Sequence, residues 1–480
     1  MHTTVTSADA NRDPAFGPTP AQGSVLYLSL VCLVAAIGGL LFGFDTAVIS
    51  GTVVSVKKQF GLTEWTEGWF VSSAIVGCLL GSSIAGMLSD RFGRKKILIL
   101  SGVLFLASAV ATTIPQTPFG LICGRLVGGL GVGIASMLSP LFISEFSPPR
   151  LRGRMVACYQ LAITIGIVVA YFTNALLLYL SENTWADLAA GPLRWILVDE
   201  VWRGMFATLG IPAVVFLFLL VFIPESPRWL CKQGRHEEAR VILSKVGGPD
   251  VAAVEIREIQ ETVAMESGSI LQVFEPWLRR ALLIGILLPI FSQVSGINVI
   301  IYYGPKIFEQ ANFTMGDALG GQVTIGLVNV LFTFVAIWKV DHFGRKPLLL
   351  AGITGLVCTL GLVSQFYLYG LTGGKALVVC FMAYCACFAA SLGPIPWIVI
   401  SEIFPTRIRG RAMSIGTFSI WAGCAVVAQT FPWLNKNLGP AMTFWLYAVL
   451  LAPAFFFVRW FVPETKGKSL EEIEKSWHGQ

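Results

Sequence analysis

DRFGRK, residues 90–95, decides the fold because it is written twice: residues 341–346 read DHFGRK. Each copy follows an apolar run and opens another. Working outward, ISEFSPPRLRGR at 143–154 returns as ISEIFPTRIRGR at 400–411, and FIPESPRW at 222–229 is echoed by FVPETKGK at 461–468. Three pairs in the same order at nearly constant offset mark a duplicated unit. The apolar runs around them are long enough to cross a bilayer, which takes about 20 mostly apolar residues. They fall at 25–46, 68–88, 97–114, 119–142, 156–179 and 203–223 in the first copy. In the second they fall at 280–302, 319–340, 348–370, 376–400, 412–433 and 442–462. The expected fold is an all-α membrane protein of twelve spans in two six-helix halves. Two parallel halves of this kind place a site at their interface, near the midplane.

Composition agrees. The chain of 480 residues is 55% hydrophobic and 13% charged, against about 25% charge in a soluble domain. The net charge of +6 is spread in short clusters between apolar runs, so it sets topology and is no nucleic-acid footprint. Bases crowd the loops after spans 2, 4, 8 and 10, whereas the opposite loops hold few, such as Lys57, Lys306, Lys375 and Lys436. Both termini are therefore expected in the cytoplasm. Residues 1–22 are polar and expected to be disordered. The domain reading runs 23–224 for the N-terminal half, 225–278 for a cytoplasmic helical linker, 279–463 for the C-terminal half and 464–480 for a cytoplasmic tail. Within the linker, EEARVILSKV and AAVEIREIQETVA read as amphipathic helices. The linker has no nucleophile–base pair and no phosphate loop, and the ten cysteines sit mostly in apolar runs. No enzyme activity, cofactor, metal site or disulfide is expected.

One residue stands out. Asp45 lies inside the first span, in AIGGLLFGFDTAVISG (36–51), where a carboxylate costs about 2.5–3.5 kcal/mol. Its candidate partner is Arg125 in span 4, which cannot lose its proton. Burial and that cation act on the protonation of Asp45 in opposite senses, as a proton-coupling group requires. A fixed salt bridge between spans 1 and 4 is the plainer reading. Around Arg125, the pairs Gly124/Gly128 and Gly129/Gly133 allow close helix approach.

A polyol ligand needs amides that both donate and accept, with aromatic faces for stacking. Gln160, Gln293, Asn298, Asn329 and Gln429 are the intramembrane amides. Gln293 and Asn298 would point apart on an ideal helix, and Gly296 between them permits a break. Any one of these amides, taken alone, reads as a helix–helix hydrogen bond. Gly393 and Pro394 in GPIPW loosen span 10.

GGLLFGFDTAVISG, DRFGRK, GRLVGGLGVG, SEFSPPRLRGR, PESPRWL, QVSGINVIIYYGP, DHFGRKP, GPIPW, SEIFPTRIRGR and PETKGKSLEEIE, in this order, resemble the sugar porter family of the major facilitator superfamily, over about residues 25–475. Within it the bacterial sugar–proton symporters are most similar, the xylose–proton type above all. The resemblance implies Asp45 and Arg125 as the coupling pair, although in the resembled facilitators an Asn often replaces the Asp. It maps the sugar contacts to Gln160, Gln293, Asn298, Asn329 and Trp397, with Trp421, Phe42, Tyr302 and Gly393 around them. It also implies a cytoplasmic gate of Arg91, Glu145, Arg152, Glu225, Arg345, Glu402 and Arg409, in which carboxylates ending spans 4 and 10 meet arginines of the other loops. Three departures are evident. Ser292 precedes Gln293 where two glutamines are common, and Ile420 and Ile167 stand where the xylose–proton type has glutamines. They bear on which sugar is preferred.

The expectation is a monomer in the inner membrane that carries a monosaccharide, D-xylose or an aldohexose such as D-glucose, into the cell with a proton, by alternating access. Its partners are the sugar, the proton and the lipid bilayer. The alternative is a passive facilitator in which Asp45 is structural.

Overall fold

The first three membrane-spanning helices show how the chain punctuates itself. Ser24 accepts a hydrogen bond from the Tyr27 amide and starts α1, Val25–Val48. Thr63 accepts one from the Thr66 amide and starts α2, Glu64–Phe92. Such caps satisfy amide protons that have no partner inside the helix. Gly93 then turns the chain into α3, Arg94–Thr113, with φ +101°, a value that only glycine adopts without strain. This structure is a computed structural model and describes residues 24–185, 191–265, 270–372, 375–404 and 408–466. The expectations for residues 1–22, and for the tail beyond 466, lie outside the described residues.

The helices continue as α4, Pro118–Phe146, and α5, Pro149–Asn183. Next comes α6, in two pieces, Val201–Ala207 and Gly210–Phe222. Three helices, Pro227–Lys232, His236–Gly247 and Pro249–Met265, link the halves. The second half opens with α7, broken into Arg279–Val294 and Ile297–Gln310 by Gly296 at φ +84°. Then follow α8, Met315–Phe343, and α9, Arg345–Leu368. α10 is also broken, into Lys375–Ala389 and Ile395–Ile403. The last two spans, α11 and α12, run through Arg409–Phe461 and are separated at Gly439, φ 76° and ψ 164°. Pro440 fixes that extended ψ, and only a glycine takes the positive φ. Among the described residues, ten helices are long and apolar enough to cross a membrane, the last of them being this joined pair. The broken α10 supplies the remaining crossing. This is an all-α, twelve-span major facilitator fold and a multi-pass membrane protein.

Bilayer lipid gives no hydrophobic drive between spans, so close backbone contact and polar bonds hold them. The glycines of α4 divide that work. A Cβ on Gly129 would lie 1.9 Å from the Ala74 carbonyl oxygen, and one on Gly133 2.3 Å from that of Cys78, so this pair seats α2. A Cβ on Gly124 would lie 2.7 Å from the Ala111 oxygen, and one on Gly128 2.4 Å from Ser108 Oγ, so the other pair seats α3.

The end of the molecule that carries the three linking helices is called here the linker end. Ser24 N bonds to Lys245 O at 2.9 Å, and Trp229 Nε1 donates to Asp90 O at 2.9 Å, which ties the linker to α1 and α2. At the opposite, far end the halves meet. Ser72 Oγ donates to Gln429 Oε1 at 2.7 Å, and Gln429 Nε2 donates to Trp65 O at 3.2 Å. Gln429 is thus a helix–helix hydrogen bond between α11 and α2. Lys306 bonds Glu67, Lys436 Nζ lies 2.9 Å from Glu64 Oε2, and Tyr171 OH donates to Ile301 O at 3.2 Å. All of these inter-half bonds lie in the far half of the molecule.

Candidate functional site: a buried ion pair and an amide–aromatic cluster at the helix breaks

Asp45 sits near the end of α1, and Arg125 comes from α4. Arg125 Nη1 lies 3.2 Å from Asp45 Oδ1 and 3.1 Å from the Asp45 carbonyl oxygen. Both side chains are almost fully buried, at 2% and 1% exposure. The pair fits because residue 128 is a glycine: a Cβ there would lie 3.2 Å from Asp45 Oδ1. The guanidinium also rests 5.8 Å from the centre of the Phe206 ring. The pairing is incomplete, since Asp45 Oδ2 and Arg125 Nε are buried and have no hydrogen-bond partner among the described residues. One carboxylate oxygen is therefore held and the other is left over. Such a pair can hold a proton or a cation in turn, which a fully satisfied bidentate pair cannot do without breaking.

The break at Gly296 brings Gln293 and Asn298 together. Asn298 Nδ2 donates to Gln293 Oε1 at 2.5 Å, across the two segments of α7. Asn298 Nδ2 also lies 3.1 Å from Cys424 Sγ on α11, and Tyr302 OH lies 3.5 Å from the same sulfur. Phe42 of α1 and Trp421 of α11 face each other across the halves, with ring centres 5.5 Å apart. Trp421 Nε1 is buried with no hydrogen-bond partner among the described residues. Gln160 on α5 and Trp397 on the second segment of α10 are half-buried, and Asn329 on α8 is 8% exposed. Among the described residues, none of these three side chains makes a hydrogen bond. Gly393 lies in the turn that breaks α10, where its amide bonds to Phe388 O. The structure thus joins Gln293, Asn298 and Tyr302 in one cluster, and Phe42 and Trp421 in a second contact. Gln160, Asn329 and Trp397 have no hydrogen-bond partner for their side chains among the described residues.

Ser292, which precedes Gln293, donates to Leu392 O at 2.9 Å. It ties the break of α7 to the break of α10. Ile167 and Ile420 are buried, at 6% and 9% exposure. Cys424 was missed as a site residue, because in sequence it is one apolar cysteine among ten.

At the linker end the duplicated motifs form two matching clusters. In the first half Arg94 Nε lies 3.2 Å from Glu145 Oε2, Arg94 Nη1 lies 2.9 Å from Asp90 Oδ1, and Ser226 Oγ also bonds Glu145. Glu225 Oε1 accepts the amides of Arg94 and Lys95 at 2.9 and 3.1 Å. In the second half Arg345 Nη2 lies 2.9 Å from Glu402 Oε1, and Thr465 Oγ1 donates to Glu402 Oε2. Glu464 accepts the amides of Arg345 and Lys346 at 3.1 and 3.0 Å. A Cβ on Gly93 would lie 2.3 Å from Glu225 Oε2, and one on Gly344 2.7 Å from Glu464 Oε2, which is why both motifs read FGRK. Among the described residues, the bonds named here join groups of the same half. Arg94 and Arg345 take the carboxylates, whereas Arg91 and Arg152 are exposed and stand apart from them; the side chain of Arg409 lies outside the described residues. Glu464 is the counterpart of Glu225 and was signalled by the PETKGK echo.

Residues 31–477 match the family model described as sugar (and other) transporter. The chain is 40% identical to the arabinose-proton symporter of Bacillus subtilis, over 96% of this chain and 97% of the relative. It is 37% identical to the D-xylose-proton symporter of Escherichia coli K12, over 94% and 96%. Among solved structures, the inward-open conformation of the xylose transporter XylE from E. coli matches with a TM-score of 0.80 at 36% identity, covering 94% of this chain and all of the other. The chain belongs to the sugar transporter family.

Proposed function

We propose that this protein imports a monosaccharide together with a proton, by alternating access, in the inner membrane. The observation that carries the reading is the buried, half-satisfied Asp45–Arg125 pair, one helix away from amides and aromatics suited to a sugar. Protonation of Asp45 weakens its hold on Arg125 and so links proton uptake to how α1 and α4 sit. Gln160, Gln293, Asn298, Asn329 and Trp397 grip the hydroxyls and one ring face, with Phe42, Trp421, Tyr302 and Gly393 around them. Relatives named as arabinose-, xylose-proton symporters and as a glucose transport protein support the substrate class. On this reading the basic loops make the linker end the cytoplasmic side, and the bonds between the halves described above lie at the other end. The two linker-end clusters act as the cytoplasmic gate, re-pairing with Arg91, Arg152 and Arg409 when that side closes. At 100 mV a proton moving inward releases about 2.3 kcal/mol, enough to concentrate a sugar about fiftyfold, since every 1.4 kcal/mol is tenfold.

The test is uptake of radiolabelled arabinose, xylose and glucose into proteoliposomes with and without an inward proton gradient. Wild type is expected to accumulate sugar, and Asp45→Asn to keep counterflow while losing accumulation. If both proteins only equilibrate, at similar rates, the protein is a facilitator and Asp45 merely ties α1 to α4.

A further inference from the structure

Glu67 on α2 has no solvent exposure, yet it is no part of the sugar or proton site. Both of its oxygens are engaged by ammonium groups. Lys57 Nζ, from the short helix Val53–Phe60 of the same half, lies 2.7 Å from Oε2. Lys306 Nζ, from the second segment of α7 in the other half, holds Oε1. One turn earlier on α2, Glu64 lies 3.6 Å from Lys57 and 2.9 Å from Lys436 of the C-terminal half. Five charges thus alternate in sign: Lys436, Glu64, Lys57, Glu67, Lys306. Both terminal lysines come from the half that carries no carboxylate of the ladder. Low exposure at its centre keeps the attraction from being screened.

The placement of Lys306 gives the ladder a lever. Asn298, Tyr302 and Lys306 are spaced by four residues on Ile297–Gln310 and so share one helix face. That segment is hinged at Gly296, and it packs on the turn Ile49–Gly51 that follows Asp45 on α1.

We propose that this ladder is the far-side gate: Glu67 is its central residue, and its parting from Lys306 is required each time the site opens to that side. The proposal rests on the alternating-access reading above. Its claim is specific. Without the Glu67–Lys306 bond the closed–open balance moves toward the far-open state, and the short segment of α7 carries ligand contact and latch together.

The test uses the full-length protein in intact cells. Ser50 is buried, at 1% exposure, in the turn under the α7 segment, and Ser50→Cys is a reporter for a membrane-impermeant maleimide. In that background Lys306→Gln and Glu67→Gln are compared with Lys58→Gln, which alters an exposed lysine outside the ladder. Lys306→Gln leaves Glu67 paired with Lys57, so it orphans no buried charge and carries the test alone if Glu67→Gln fails to assemble. The expected result is a labelling rate about tenfold higher in the ladder variants, which corresponds to about 1.4 kcal/mol in the closed–open balance, and unchanged in Lys58→Gln. Equal rates in all three, with Lys306→Gln still assembled in the membrane, overturn the proposal. Labelling is read without added sugar and with the proton gradient collapsed by an uncoupler, so its outcome is independent of whether the transport assay supports symport.

Discussion

Removing Arg125 isolates the contribution of the buried pair. With Nη1 and Oδ1 3.2 Å apart, the attraction amounts to about 5 kcal/mol at an effective dielectric of about 20. Desolvation of both groups offsets much of this, so the pair itself is a weak stabiliser, but deleting one member leaves a buried, unmatched charge at about 3–5 kcal/mol. Arg125→Gln is therefore expected to lose stability near that range. Asp45→Asn loses less, because Arg125 keeps the residue-45 carbonyl oxygen and its contact with the Phe206 ring. The double variant places two neutral amides side by side and recovers part of the loss, with an interaction energy of about 0.5–3 kcal/mol. Thermal unfolding of the four proteins in one detergent, read alongside counterflow, closes the cycle. A double variant whose loss equals the sum of the single losses would refute the pairing as an energetic unit and leave Asp45 and Arg125 as independent residues.

Two further outcomes follow from the packing and the clusters. Gly43→Ala puts a methyl 1.9 Å from the Ile163 carbonyl oxygen at the α1–α5 contact; overpacking of about 1–3 kcal/mol or more should lower Tm, whereas Gly320→Ala, with nothing within 4 Å, should leave it level or raise it slightly. Burial opposes ionisation of Glu464, but the amides of Lys466, Arg345, Lys346 and Thr465 outweigh it and hold its carboxyl below the usual range. A lowered native value means the stabilisation is complete above the unfolded glutamate value of about 4.3 and is lost as pH falls through the native one. Glu464→Gln should therefore melt below wild type at pH 7, and the gap in Tm should narrow once the pH is taken below about 4; a gap that stays constant with pH removes the charge from the explanation.

The twelve-span, two-half fold was legible because membrane spans must be apolar over a fixed length and because the duplicated motifs survive as text. Asp45 and Arg125 were legible for the same reason: in hydrocarbon an ionisable residue is an exception with a high cost. The break at Gly296 was readable from one glycine between two amides. Other features were not. Cys424 looks like any apolar cysteine until α11 brings its sulfur to Asn298 and Tyr302. The split of the α4 glycines between α2 and α3 depends on helix rotation, which spacing alone does not fix. Glu64 and Glu67 begin a helix, where acidic residues are ordinary, and nothing local says that lysines from the other half will reach them.

The chain by itself determined what must cross the bilayer, which end is basic, and which side chains are too polar to be there without a use. These follow from transfer energies that act residue by residue. Only the tertiary structure decided which arginine each linker-end carboxylate meets, that the bonds described there join groups of the same half, and that the far end is the side where the halves are bonded. Those outcomes turn on ångström-scale distances between residues remote in sequence, and on a balance between conformations that a single set of local preferences does not encode.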